Sequence, residues 1–176
     1  VDPAYLKDIA RIAVERDADV LIGVPIRDPD GRYFNSVISV GVSPMQRYDK
    51  SHLVPFGEFV PPGLGWMVKT LSIPLSDFSS GPGNARPLAL AGQLVAPNIC
   101  WEDAFGEEII RALPEATLLA NVSNVAWFGD SLAPSQHLQI ARMRAIEAGR
   151  TMLRATNTGV TAIIDPHGKV VASLPQ

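Results

Sequence analysis

The chain has 176 residues, of which 47% are hydrophobic and 19% charged. It therefore has the length and apolar content of one folded domain, and the composition argues against disorder. The formal net charge is -3 and no basic run occurs, so nothing favours nucleic acid as a partner. A single cysteine excludes an internal disulfide framework and a multi-cysteine zinc site. No run reaches the roughly 18 consecutive apolar residues of a membrane span.

The first half of the chain predicts a helix, two strands and a long irregular region. Asp2 and Pro3 indicate a helix start, since Asp is a favoured N-cap and Pro a favoured first helical residue. The predicted elements are, in order, a helix that starts at Asp2 and whose helical spacing is followed to Val14, a buried strand at 20–24, a strand at 34–40, a loop at 47–62, an apolar stretch at 64–75 and a loop at 76–87.

The second half alternates strands with helices and closes on a hairpin. A tight turn at 165–168 predicts the hairpin. The predicted elements are a strand at 93–99, a helix at 105–113, a strand at 117–122, a helix at 136–150, strands at 152–155 and 160–164, and a last strand at 169–174. This mixture predicts one α/β layered domain over residues 1–176.

Cys100 stands where an apolar strand ends and a polar, acidic stretch begins. A thiol held at a strand end and facing a cleft suits nucleophilic catalysis. A buried structural thiol is the alternative, because cysteine is among the most buried residue types, and position alone does not separate the two. Glu102, two residues further on, is expected inside the site, with a solvated carboxylate or a helix cap as its ordinary alternative.

A thiol that attacks a carbonyl benefits from a nearby cation, which stabilises the thiolate and the developing oxyanion. Lys50 is the candidate, although most lysines are solvated surface charges. A cysteine–histidine dyad through His52 is a further hypothesis. No two of the three histidines have the spacing of a metal site, so we predict no metal and no cofactor.

Six short motifs follow one another in an order that resembles the nitrilase superfamily, most closely its apolipoprotein N-acyltransferase branch. They are Tyr-Asp-Lys-Ser-His-Leu-Val-Pro-Phe-Gly-Glu at 48–58, Ile-Cys-Trp-Glu at 99–102, Ser-Asn-Val-Ala-Trp-Phe-Gly at 123–129, Gln-His at 136–137, Ala-Arg-Met-Arg-Ala-Ile-Glu at 141–147 and Arg-Ala-Thr-Asn-Thr-Gly-Val-Thr at 154–161. The resemblance covers nearly the whole chain. It implies a nitrilase-like α-β-β-α sandwich with a Glu-Lys-Cys triad.

The resemblance assigns the site residues. Cys100 matches the nucleophile, Lys50 matches the lysine, and Glu58 matches a second glutamate that supports the site. Four further residues are expected to contact substrate: Phe56, Trp101, Glu102 and Trp127.

Two positions depart from the acyltransferase branch, which more often has Tyr where this chain has Trp101 and usually has Asp where it has Val125. The apolar stretch at 64–75 suits a lid for acyl chains, with an ordinary core helix as the alternative.

The triad's base glutamate, in the resembling family, ends a strand that precedes the first helix seen here. None of the glutamates of this chain lies in that motif. The chain also opens on Val1 and stops directly after a strand-like run. We therefore expect a partial catalytic domain, truncated at both ends and inactive by itself, with the base glutamate and the membrane helices of the parent protein outside it.

The function implied is transfer of a fatty acyl chain from a phospholipid to the N-terminal cysteine amine of a diacylglyceryl apolipoprotein, through a thioester. The expected location is the bacterial inner membrane, with the catalytic domain on the periplasmic side. A soluble nitrilase or amidase that passes the acyl group to water is the alternative, and Cys-Trp-Glu at 100–102 is compatible with it. A module that binds its ligand without catalysing a reaction is a third hypothesis.

Overall fold

The computed structural model describes residues 3–61, 77–83 and 86–174. The strands in these ranges are β1 (Asp19–Arg27), β2 (Tyr33–Gly41), β3 (Arg47–Asp49), β4 (Leu88–Leu90), β5 (Gln93–Ile99), β6 (Leu118–Ser123), β7 (Thr151–Thr156), β8 (Thr161–Ile164) and β9 (Val170–Leu174). The α-helices are α1 (Pro3–Glu15), α2 (Gly106–Ile109) and α3 (Ala133–Ala148), and 3-10 helices cover Cys100–Ala104, Ile110–Ala112 and Ala126–Phe128. The apolar stretch predicted at 64–75 lies outside the described residues.

The first sheet is antiparallel, in the order β1-β2-β3. The helix α1 packs on β1 and β2, and its Ala13 is buried. The prediction of a buried strand at 20–24 is wrong about burial. Within β1 only Val24 is buried, because β1 pairs with β2 alone among the described strands and keeps one edge open.

The second sheet has six described strands, in the order β4-β5-β6-β7-β8-β9. The central strands β5, β6 and β7 are parallel, and the remaining pairs are antiparallel. Parallel strands bring their carboxyl ends to one edge of a sheet. Ile99 therefore lies beside Val122, and Ser123 beside Thr156. The residue after β5 is Cys100.

The two sheets face each other, with β1 against β6 and β2 against β5, while α3 covers the far face of the second sheet at β7. The layers therefore run α-β-β-α, which confirms the predicted architecture. Gly23 of β1 lies close to the second sheet, because a Cβ there would stand 2.9 Å from Val122 Cγ1. The core under α3 contains the buried residues Ala96, Ile109, Ala116, Leu119, Ala141, Ala145, Ala148, Met152, Ala162 and Ile164.

The helix predicted at 105–113 is shorter than expected, with α2 followed by the 3-10 turn Ile110–Ala112. The strand β3 lies at the start of the loop predicted at 47–62, and β4 directly follows the loop predicted at 76–87. Neither strand was predicted, since three residues are too few to show an alternation. No helix within the described ranges has the length and apolarity that crossing a membrane requires.

Gly149 ends α3 in the left-handed conformation, with φ 60°. Its amide donates to the carbonyls of Ala145 and Ile146, which is a common way to close a helix. We expect Gly149→Ala to lower the free energy of unfolding by about 1 kcal/mol, because a Cβ strains this backbone conformation. Urea denaturation measures the change. The matched control is Gly83→Ala, whose Cβ meets nothing within 4 Å, and an equal loss in both variants would contradict the prediction.

Candidate active site

Cys100 occupies a strained backbone position directly after β5. Its φ is 55°, in the left-handed region that residues with a Cβ rarely adopt. The preceding Ile99 is still extended, with φ -116° and ψ 119°, so the chain turns sharply at the cysteine. Strain of this kind costs about 1–3 kcal/mol and clusters at functional sites. The side chain is half-buried.

Burial raises the pKa of the Cys100 thiol above its ordinary value. The positive charge of Lys50 and a hydrogen bond from the amide of Trp101 act in the opposite direction and favour the thiolate. The negative charges of Asp103 and Glu58 act with burial. Since the net shift is upward, the thiol needs a proton acceptor to become a nucleophile near neutral pH.

Lys50 is held as a buried cation at the carboxyl end of β3, and its side chain is only 1% exposed. Its Nζ lies 2.7 Å from Oε2 of Glu58. The same carboxylate accepts hydrogen bonds from Asn35 Nδ2 at 2.6 Å and from the amide of Val54 at 2.7 Å. A buried lysine needs such a partner, because an unpaired buried charge is strongly unfavourable. The structure thus brings Glu58 to Lys50 and places the charge of Lys50 close enough to act on Cys100.

Glu102 lies inside the protein, 2% exposed, and five donor groups from two segments bind its carboxylate. They are the hydroxyl of Tyr48, the amide and the hydroxyl of Ser51, the amide of His52 and the amide of Ile99. Glu102 therefore ties the loop after Lys50 to the turn that carries Cys100. Burial, and then the charge of Glu102, raises the pKa of Tyr48, so that hydroxyl stays protonated and remains a donor.

A family model for carbon-nitrogen hydrolases matches residues 1–176. The chain belongs to the carbon-nitrogen hydrolase family.

Curated relatives are more than 50% identical to the chain over the stretch that matches it. Apolipoprotein N-acyltransferase of Nitrosomonas europaea is 59% identical over 173 residues, which cover 97% of this chain and 35% of the relative. The protein of the same name from Ralstonia nicotianae is 54% identical over 164 residues, which cover 90% and 31%. The chain thus spans about a third of the length of the curated relatives that it matches.

Solved structures share the fold at low identity. The C. elegans NitFhit protein superposes with a TM-score of 0.74 at 20% identity, over 98% of this chain and 43% of that chain. XC1258 from Xanthomonas campestris, described as a CN-hydrolase superfamily protein with an arsenic adduct in the active site, has a TM-score of 0.71 at 19% identity, over 99% and 65%. These likenesses confirm the predicted nitrilase-like fold.

The other expected site residues lie at different depths in this member of the family. Trp101 is half-buried and packs edge-to-face against His52 and Phe105. Phe56 is half-buried in a left-handed turn with φ 61°, and Trp127 is 76% exposed on a 3-10 turn after β6. Substrate contact by these residues, and by the buried Glu102, stays a prediction.

His52 does not pair with the thiol in the arrangement observed. Its ring stacks on Phe105 at 3.6 Å between centroids, and its Nδ1 lies 3.1 Å from Oε1 of Glu108. The histidine that approaches Cys100 is His137, whose Nε2 is 3.3 Å from the carbonyl oxygen of Cys100. Sequence reasoning did not single out His137, nor its neighbours Asp103, Asn121 and Arg154. The signal was present for two of them, since His137 and Arg154 belong to the motifs of the resemblance.

The surroundings of Cys100 are compatible with nucleophilic chemistry at the thiol. Against the larger effect of burial, the charge of Lys50 and the amide of Trp101 both lower the pKa of the Cys100 thiol. Both favour the thiolate, and groups of this kind can also stabilise the oxyanion of a tetrahedral intermediate. The carboxylates of Glu58, Glu102 and Asp103 are all bound by donors of the protein itself, so each serves to hold other groups in place.

Proposed function

We propose that the chain is the catalytic domain of an acyltransferase that moves a fatty acyl chain from a phospholipid to the N-terminal cysteine amine of a bacterial apolipoprotein. Cys100 carries the acyl chain as a thioester between the two steps. The observation that carries the proposal is 59% identity over nearly the whole chain to a protein named apolipoprotein N-acyltransferase. The buried Lys50–Glu58 pair beside Cys100 supports the chemistry.

In the first step the sulfur of Cys100 attacks the ester carbonyl of the phospholipid. A C–S bond forms, the carbonyl oxygen becomes an oxyanion, and Lys50 with the amide of Trp101 stabilises it. The intermediate collapses by breaking the C–O bond to the glycerol oxygen. That oxygen takes a proton, the lysophospholipid leaves, and the thioester remains.

In the second step the lipoprotein amine attacks the thioester carbonyl. A C–N bond forms, the C–S bond breaks, the amine loses a proton, and Cys100 is regenerated. The proton acceptor in both steps is, in this proposal, the glutamate that the family resemblance implies upstream of α1. The raised pKa of Cys100 supports the need for such a base.

In this proposal, three aromatic residues contact the substrate. Trp101 lies next to the nucleophile, Phe56 lies in the loop between Lys50 and Glu58, and Trp127 offers an exposed indole after β6. An apolar donor with two acyl chains suits such a surface. The names of the relatives favour a membrane enzyme, and the location proposed is the inner membrane with this domain on the periplasmic side.

The test is to trap the acyl-enzyme. The gene product that carries this chain is incubated in detergent with a phospholipid of defined acyl chains, and the peptide containing Cys100 is analysed by mass spectrometry. We expect the mass of one acyl chain on Cys100, its release by neutral hydroxylamine, and its transfer to a synthetic diacylglyceryl-cysteine peptide. Cys100→Ala should carry no label.

Two outcomes would overturn the proposal. Release of the acyl group to water at the same rate with and without the peptide would indicate a hydrolase, the nitrilase or amidase alternative. Binding of the diacylglyceryl peptide without any thioester would indicate a module that only binds.

A further inference from the structure

A group of four buried polar residues lies directly beneath the backbone of Cys100. It is formed by Asp103, Asn121, His137 and Arg154, here called the buried polar cluster, and these residues are 0%, 0%, 7% and 2% exposed. The cluster sits between the second sheet and α3, under the 3-10 helix that begins at Cys100. None of the four residues belongs to the Glu-Lys-Cys triad that the family resemblance implies.

Two members of the cluster bind the carbonyl oxygen of Cys100. Asn121 Nδ2 donates at 2.9 Å, and His137 Nε2 lies at 3.3 Å. The second partner of His137 Nε2 is Oδ1 of Asp103, at 2.8 Å. Because both partners are acceptors, Nε2 carries the proton. Donors aimed at this carbonyl oppose rotation of the peptide that follows the cysteine.

The other members fix those two donors in place. Oδ1 of Asn121 accepts from Arg154 Nη1 at 2.8 Å and from Ser123 Oγ at 2.6 Å. Oδ2 of Asp103 lies 3.4 Å from the same Arg154 nitrogen. Asn121 is placed by sheet register, since it stands beside Arg154 on β7.

Burying the charged side chain of Arg154 in this space is unfavourable in free energy. Its side chain is fully buried, burial lowers the pKa of its guanidinium, and its Nε and Nη2 have no hydrogen-bond partner among the described residues. Apolar side chains of similar volume commonly stabilise a core as well or better. A buried ion pair whose members hold the two donors of the Cys100 carbonyl points to a role beyond packing.

We propose that the buried polar cluster is a positioning network that holds the Cys100 carbonyl, and through it the left-handed conformation that turns the sulfur of Cys100 toward Lys50 and the amide of Trp101. The inference rests on the proposed role of Cys100 as nucleophile. The four residues do not touch substrate, and they act through the geometry of the thiol.

Alkylation of Cys100 by iodoacetamide tests the network without any lipid substrate. The rate is measured in the gene product that carries this chain, by mass spectrometry of the peptide containing Cys100. We expect His137→Phe, which keeps a ring and removes the donor, to slow alkylation about tenfold, the equivalent of one lost hydrogen bond. His137→Gln, which restores a donor near the position of Nε2, should recover most of the rate.

A double variant and a control variant separate a positioning role from a general loss of structure. If the network acts by turning the sulfur toward Lys50, His137→Phe should have little further effect once Lys50→Met has removed the cation. Met152→Ala is the matched control, because Met152 is fully buried on β7 and faces the same core. It should lower the melting temperature and leave the alkylation rate unchanged.

Several results would overturn the inference: an unchanged rate in His137→Phe, the same tenfold loss in the Lys50→Met background, or an equal loss in Met152→Ala. If His137→Phe does not fold, Ser123→Ala decides, since it removes one tether of Asn121 and keeps every charge. We expect it to slow alkylation about threefold, which corresponds to a fraction of the free energy of one hydrogen bond, and an unchanged rate would overturn the inference.

Absence of a thioester in the unaltered protein would instead count against the proposed function. It would not change the alkylation rates, which test the network by themselves.

Discussion

Lys50→Met is expected to slow thioester formation at Cys100 about 10³-fold, because in the proposed mechanism it removes the cation that stabilises the developing oxyanion. It should also move the alkylation of Cys100 to higher pH. Lys50 lowers the pKa of the thiol against the effect of burial. Without it the pKa rises further, and a smaller fraction of the thiol is thiolate at any given pH. The alkylation rate, followed from neutral to alkaline pH, measures the shift.

The control for loss of a positive charge is Lys7→Met, since Lys7 is exposed on α1. It should change neither the acylation rate nor the pH dependence of alkylation. Lys50→Met also leaves the Glu58 carboxylate without its cation, which destabilises by about 3 kcal/mol. The double variant Lys50→Met/Glu58→Gln removes both charges and should regain much of that stability. A double variant that also regained acylation would contradict the role given to Lys50.

Glu102→Gln is expected to lower the free energy of unfolding by about 4 kcal/mol, since several charge-assisted hydrogen bonds are lost inside the protein. One oxygen of Glu102 accepts from the amides of Ser51 and His52, and the other accepts from the amide of Ile99. A glutamine has only one oxygen. Whichever way its amide turns, the NH₂ group faces a backbone N–H, and a buried donor loses its acceptor.

Urea denaturation measures the loss in Glu102→Gln, and acylation should fall with it, because the loop after Lys50 is no longer tied to the turn at Cys100. Glu107→Gln is the matched control, an exposed glutamate five residues further along the chain, and it should be neutral within about 0.5 kcal/mol. Tyr48→Phe removes the hydroxyl donor and leaves the amides in place, so it should cost about 1.5 kcal/mol. An order in which Tyr48→Phe is the more damaging change would contradict this description of Glu102.

The sequence was informative where chemistry and pattern coincide. The apolar run of β5 predicted a strand that stops at Cys100, and the structure has the strand end at Ile99. The family resemblance of the motif at 48–58 assigned both Lys50 and Glu58 to the site, and the two side chains are 2.7 Å apart. In both cases the relevant residues are close in the chain, so a local pattern describes them.

Contacts that depend on strand register could not be predicted from the sequence. Asn98, Asn121 and Arg154 stand side by side on three strands, and no local pattern reports which residue of one strand meets which residue of the next. The same limit affected β1, where an apolar run was interpreted as a buried strand although its neighbours leave it half-exposed. Apolar composition predicts a strand, and burial depends on what lies against it.

Gly23 has a consequence for the distance between the two halves of the site. Lys50 follows a strand of the first sheet and Cys100 follows a strand of the second, so the gap between the sheets sets how far the ammonium lies from the sulfur. At Gly23 the backbone of one sheet meets Val122 of the other with no room for a methyl group. The thickness of the β-sandwich thus contributes to the distance between Lys50 and Cys100. Gly23 lies more than seventy residues before the cysteine. A side chain introduced there is nevertheless expected to widen the gap between the sheets and so to alter the reactivity of the thiol.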